Sequence, residues 1–238
     1  MSIVALKELT LESTMKVYVG VTGLAGTGKS TFADVLADLA SARGIAIRRF
    51  NLSDEVRCEL VRQGREDEVT SRKALIDTAN ELRAVYGPGV LAERTVVKDL
   101  EESFGNNQPN LVVITGIRSP AEVATFKNAW AEQFLLTAVV ASEESRNARM
   151  SDRRQYDEDV DPLAAVELAD QAIGIPDCIQ MSNYRIPNDG SIEQLHRFVE
   201  AFLRHVITPM FEQQNTPKTA KASLTSGFSE RDGRTKWS

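Results

Sequence analysis

Gly23, Leu24, Ala25, Gly26, Thr27, Gly28, Lys29 and Ser30 form an unbroken G-x-x-x-x-G-K-[ST] run. The spacing suits one kind of chemistry. Glycines allow successive backbone N–H groups to turn inward around an anion without Cβ clashes. A helix starting at the end of the run adds unpaired donors and the positive end of its dipole. Lys29 is then expected to reach the β- and γ-phosphates of a nucleoside triphosphate, and Ser30 to hold Mg²⁺ through its hydroxyl. Thr31 completes the nucleotide-binding stretch.

Such a loop works only between a strand and a helix, and both flanks are legible. Lys16 to Val21 is β-rich and reads as a buried strand. Thr31 to Arg43 carries Phe32, Val35, Leu36 and Leu39 at helical spacing. Further strands are expected at 45–50, 111–114, 134–140 and 184–187, with helical segments between them. This alternation predicts an α/β chain, a P-loop NTPase three-layer sandwich with a parallel sheet covered on both faces.

The chain has 238 residues, enough for one such domain, and its composition, 42% hydrophobic and 26% charged, is that of a globular protein. A net charge of −6 gives no basic field for nucleic acid. No apolar run reaches the roughly 18 residues of a membrane span, and the N-terminus has no secretory pattern, so the expected compartment is the cytoplasm. Cys58 and Cys178 are too few for a disulfide framework and read as small core or half-buried residues. Residues 1–15 read as an extension, 16–214 as the domain, and 215–238 as a polar, disordered tail.

Several charged residues fall where ligands collect in parallel sheets, beyond the carboxyl ends of strands. Asp54 and Arg57 follow the second strand. Asp54 could orient or deprotonate an attacking hydroxyl, or bind Mg²⁺ through water; alternatively, Ser53 or Asp54 simply caps the next helix. Arg83 and Arg94 lie in the helical stretch 66–100, which Gly87-Pro88-Gly89 interrupts, and could clamp an acceptor phosphate. Arg118 follows the third strand, whose tip offers Thr115 where a Mg²⁺-binding Asp is normally expected. Ser119, Pro120 and Glu122 make a capping-box pattern. Arg146, Arg149 and Arg153 share one helix face, and Arg154 follows; four arginines before a polar loop suit a lid that closes on transferring phosphates. His196 and His205 read as surface or packing residues of a final amphipathic helix.

Taken together, the loop at 23–30, Leu52-Ser53-Asp54-Glu55-Val56-Arg57, Asn80-Glu81-Leu82-Arg83, Gly116-Ile117-Arg118-Ser119-Pro120 and Asn188-Asp189-Gly190-Ser191 resemble the archaeal dephospho-coenzyme-A-kinase-like group of P-loop kinases. That group is similar to nucleoside monophosphate kinases. The resemblance spans about 16–206. It implies a five-stranded parallel sheet of order 2-3-1-4-5, an acceptor-binding helical insert near 54–104 and a lid near 146–160. It also implies that Asn188, Asp189 and Gly190 lie beside the nucleotide base.

The resulting expectation is an ATP- and Mg²⁺-dependent kinase. Lys29, Asp54, Arg118, Arg153 and Arg154 would act in transfer, and Arg57, Arg83, Arg94 and Arg118 with Asp54 would bind the acceptor. The metal would be held by Ser30 and Asp54. The acceptor would be a small molecule such as a (deoxy)nucleoside monophosphate or dephospho-coenzyme A, with no nucleic acid or membrane partner; a homodimer is compatible with such a chain. The alternative is a P-loop ATPase or nucleotide-binding protein with no small-molecule acceptor.

Overall fold

The computed structural model describes residues 16–102, 110–156 and 163–215. The extension at 1–15 and the tail beyond 215 lie outside the described residues, as does 157–160 of the expected lid.

The strands are β1 (Val17–Thr22), β2 (Ile47–Asn51), β3 (Leu111–Thr115), β4 (Phe134–Val140) and β5 (Tyr184–Pro187). They form one sheet in the order β2-β3-β1-β4-β5, with every pairing parallel. The helices are α1 (Lys29–Ser41), α2 (Leu52–Arg62), α3 (Arg72–Tyr86), α4 (Val90–Glu102), α5 (Pro120–Trp130), α6 (Glu143–Tyr156), α7 (Leu163–Ile173), α8 (Ile175–Gln180), α9 (Ile192–Phe202) and α10 (Thr208–Asn215). A short π turn, Leu203–Ile207, joins α9 to α10.

β1 explains why the sheet is covered on both faces. All of its residues are buried, and successive side chains point to opposite sides. Val17, Val19 and Val21 join Phe32 and Leu36 of α1 and Val199 and Phe202 of α9 in one core. Tyr18 points the other way, stacking on Trp130 of α5 with ring centroids 3.9 Å apart. Gly20 sits between Ile117 and Phe134, whose side-chain atoms would lie 2.7 Å from any added Cβ. A chain buried on both sides must be apolar throughout, which is the pattern of a central parallel strand.

The boundaries of β1, β2 and β3 move by one or two residues from the sequence expectation. β2 begins at Ile47 rather than Ile45, because the Ile45 N–H bonds back to the Ala40 carbonyl (3.0 Å) and closes the end of α1. β3 extends to Thr115, which registers with Asn51 of β2. Asn51 also caps α2, its side chain accepting from the Ser53 N–H at 3.2 Å; Ser53 and Asp54 are therefore not the cap. Ser119 and Glu122 do form the capping box at the start of α5. Cys178 is buried and its thiol pushed up to about 12, mainly by burial, whereas Cys58 is exposed rather than half-buried. His196 and His205 are exposed on the closing helical segment.

At the sheet end away from the loop, Asp99 of α4 is fully buried. It accepts from the Tyr18 hydroxyl at 2.9 Å and faces the Lys16 ammonium at 3.4 Å and Arg48 at 3.6 Å. Burial pushes the Lys16 ammonium down and the Tyr18 phenol up. Removing the carboxylate strands a buried cation. Asp99→Ala is expected to destabilise the fold by about 3–5 kcal/mol, read as a lower midpoint in urea denaturation with an unchanged slope.

Candidate functional site

β1 delivers the chain to the loop. Its last residue, Thr22, anchors the strand end by donating from its hydroxyl to the Ile117 carbonyl (3.0 Å). The following turn needs glycine. Gly23 has φ 142° and a Cβ there would strike the Val139 carbonyl; Gly28 has φ 89° and a Cβ there would strike the Asn188 amide. Gly28 is also the N-cap of α1 and offers no side-chain acceptor. The first amides of α1 thus lack the side-chain cap that would compete with an anion.

Lys29 folds back over the loop, its ammonium donating to the Gly23 and Leu24 carbonyls at 2.7 and 2.8 Å. Thr27 closes the turn through its hydroxyl on the Leu24 carbonyl (2.9 Å). Ser30 and Thr31 are exposed at the start of α1. The arrangement is a short anion cradle with an ammonium held at its rim and a free-facing hydroxyl one residue on.

The turn after β5 buttresses the cradle. Asn188 is buried and donates from its amide to the Thr27 carbonyl at 2.8 Å. Asp189 accepts from the Ser142 N–H at 2.6 Å, which ties β5 to the start of α6 and holds the carboxyl below the usual range. Arg149 of α6 donates to the Asn188 and Gly26 carbonyls at 2.6 and 3.3 Å. Gly26, Thr31, Arg149, Asp152, Asn188 and Ile192 line a cleft of about 380 Å³ beside the loop, with Gly190 also on its wall. A pocket of this size and position can take a flat heterocycle and sugar attached to the loop-bound phosphates.

α6 and α7 press on the same loop. Arg146 is buried, and its backbone lies close enough to Gly26 that an added Cβ would meet the Arg146 carbonyl oxygen at 3.0 Å. Its Nη1 is 2.5 Å from Glu167 of α7, an ion-pair distance without hydrogen-bond alignment. Asp170 of α7 accepts from the Ala25 N–H at 3.0 Å. No sequence motif surrounds Asp170, so reading the chain alone missed it. Arg153 and Arg154 continue α6, but their side chains lie outside the described residues.

On the other side of the loop, the expected acceptor residues have local partners. Asp54 is half exposed and pairs with Arg57 at 2.8 Å, one turn along α2. Arg94 pairs with Glu59 at 2.8 Å and lies over the Tyr86 ring; chiefly through this hydrogen bond, Glu59 is held below the usual carboxylate range. Arg83 reaches the fully buried Glu122 at 3.1 Å. Glu122 in turn accepts from the Arg118 and Ser119 N–H groups at 2.8 and 3.2 Å. Arg83 therefore braces the loop after β3, a role its position in the sequence does not reveal. The Arg118 side chain is exposed, and no described residue pairs with it. Thr115 donates to the Phe50 carbonyl at 3.3 Å. Among the described residues no cluster of three or more His, Cys, Asp or Glu could hold a metal by itself.

No family model matches the chain. A UPF0200 protein of Saccharolobus islandicus is 32% identical over 189 residues, spanning 79% of this chain and 92% of that protein. A UPF0200 protein of Halobacterium salinarum is 32% identical over 186 residues, spanning 78% and 91%.

The chain belongs to the UPF0200 family.

The solved structure of TT1252 from Thermus thermophilus superposes with a TM-score of 0.50 at 21% identity, over 81% of this chain and 99% of that one. The fold of this UPF0200 member is the P-loop three-layer sandwich with strand order 2-3-1-4-5. No helix among the described residues is long and apolar enough to cross a membrane.

The cradle depends on its buttress. Asn188→Ala leaves the Thr27 carbonyl without its donor and opens space under Gly28, a loss of one buried hydrogen bond. The variant is expected to keep its circular dichroism spectrum and to bind ATP about tenfold more weakly by calorimetric titration.

Proposed function

We propose that the protein is an ATP-dependent phosphotransferase acting on a nucleotide-type small molecule, with a (deoxy)nucleoside monophosphate or dephospho-coenzyme A as the acceptor. The observation that carries this reading is the uncapped glycine cradle opening directly onto the cleft between Arg149 and Asn188. One end suits a triphosphate and the other a nucleoside. The adenosine part would lie along Thr31, Arg149, Asn188 and Gly190, and the phosphates would draw on the amides of residues 24–30.

In the reaction the bond from the γ-phosphorus to the β,γ-bridging oxygen breaks and a bond to the acceptor oxygen forms. Lys29 would exchange its loop carbonyls for the β- and γ-phosphate oxygens, where charge grows in the transition state. Arg118, exposed beyond β3, suits the acceptor side, and Arg153 and Arg154 of α6 suit the lid. With a hydroxyl acceptor Asp54 would take the proton; with a phosphate acceptor there is none to take, and Asp54 with Arg57 would position it. When bound, Mg²⁺ would offset the negative charge that grows on the phosphates during transfer. Ser30 fits as its one direct protein ligand, and Asp54 fits through the water shell. Magnesium commonly keeps several waters, so a small protein donor set is compatible with it.

Thr115 favours a second reading. Its hydroxyl is engaged with Phe50 where a carboxylate would usually serve the metal. A nucleotide-binding protein without turnover would explain that substitution, whereas a P-loop ATPase would need an acid there as much as a kinase does.

Coupled ADP release measured across a panel of nucleotide acceptors separates the readings. Release that rises with one acceptor supports the kinase. Release independent of every acceptor supports an ATPase, and binding without release supports the third. Lys29→Ala is expected to lower turnover at least about 10²-fold while the thermal midpoint stays near wild type; unchanged turnover would refute the loop's role. Asp54→Asn is expected to bind ATP normally and to lose most transfer at saturating Mg²⁺ and acceptor. Normal transfer in that variant would reduce Asp54 to a surface partner of Arg57.

A further inference from the structure

α7 contributes nothing to the proposed reaction, yet it puts a carboxylate on the phosphate cradle. Asp170 is buried, and its Oδ2 takes the Ala25 N–H at 3.0 Å. A backbone amide carries one hydrogen, so a phosphate oxygen and this carboxylate cannot both use it well. Glu167, one turn earlier on the same face of α7, faces Arg146. Arg146 is buried against the loop at Gly26, and its Nε has no hydrogen-bond partner. Met150 of α6 and Val166 of α7 close over Ala25 as a small apolar contact. α7 is thus seated on the loop and on α6 through one internal anion, one imperfect ion pair and a minor apolar patch. A permanent brace would satisfy its buried guanidinium fully.

We infer that Asp170 is an internal stand-in for the triphosphate, holding α7 on the cradle and leaving when ATP binds. The proposal rests on the nucleotide reading above. The physical reason for release is charge. A triphosphate carries several negative charges, and a buried carboxylate at the same donors meets strong repulsion in a poorly screened site. ATP binding is therefore coupled to detachment of α7, and the apparent affinity for ATP is reduced by the fraction of protein held in the Asp170-bound form.

The test compares ATP binding, measured calorimetrically without acceptor, for wild-type protein, Asp170→Asn and Asp177→Asn. Asp177 is an exposed acid on the neighbouring α8 and controls for a general change of charge. Asp170→Asn is expected to tighten ATP about tenfold, because the competing hydrogen bond to Ala25 loses its charge while a neutral acceptor remains, and inorganic tripolyphosphate by a similar factor. Asp177→Asn is expected to match wild type. Unchanged or weaker ATP binding in Asp170→Asn overturns the inference while leaving the nucleotide reading intact. Absence of ATP binding in wild type and variants alike overturns both. Amide exchange in the unmutated protein gives an independent reading that needs no variant. ATP is expected to speed exchange across 163–173, and slower or unchanged exchange there overturns the release of α7.

Discussion

An unpaired backbone N–H is costly when buried and useful when a ligand can reach it. The turn from Thr22 to Lys29 brings several backbone N–H groups together at one point, with glycine where a side chain would collide. Everything nearby serves that concentration of donors. β1 fixes where the turn begins, α1 supplies its helical end, and Asn188 holds the Thr27 carbonyl from behind. Lys29 and Asp170 then satisfy carbonyl and amide groups within the loop itself. Both are charged groups on the loop's own carbonyl and amide atoms, so the polar groups of the turn are satisfied from within the fold.

The charges around this loop divide into two kinds. Asp99 with Lys16, and Glu122 with Arg83, are buried pairs set between elements distant in sequence. They fix how α4 meets β1 and how the segment after β3 meets α3. Removing the buried carboxylate of either pair leaves a poorly solvated cation without its counter-charge, so such pairs hold geometry. The charges of Asp54, Arg57 and Arg118 are solvated, and their pairing costs little to give up. Groups that must meet a mobile substrate are better drawn from the second kind. Arg83 illustrates the distinction: its place in the helical stretch 66–100 suggests an acceptor clamp, while its pairing with the buried Glu122 gives it a bracing role in the frame.

Chemistry in this fold therefore depends on a boundary between rigid and exchangeable contacts. The sheet and its apolar layers are rigid, and the strand ends of β1, β2 and β3 share one register through Gly20, Ile114, Thr115 and Asn51. The cleft between α6 and the turn after β5 takes its shape from two lining side chains, Arg149 and Asn188, that donate to the backbone carbonyls of the loop and of the turn itself.

Local patterns were enough to determine the strand–loop–helix unit, the alternation of elements, the capping box at Ser119 and the amphipathic face of α9, whereas the sheet order came from the family resemblance. Each is governed by contacts a few residues apart or by burial that repeats with a fixed period, so the amino-acid order carries it. The cap at Asn51, the pairing of Arg83 with Glu122, the buried Asp99 cluster and the approach of Asp170 to Ala25 were decided only in three dimensions. Three of these join residues from 39 to 145 positions apart, across elements whose relative placement depends on the whole packed sheet. The side chains involved are ordinary acids and arginines that would be equally at home in solvent. What turns them into braces or stand-in ligands is the burial of their partners, a property of the assembled core that no run of residues encodes alone.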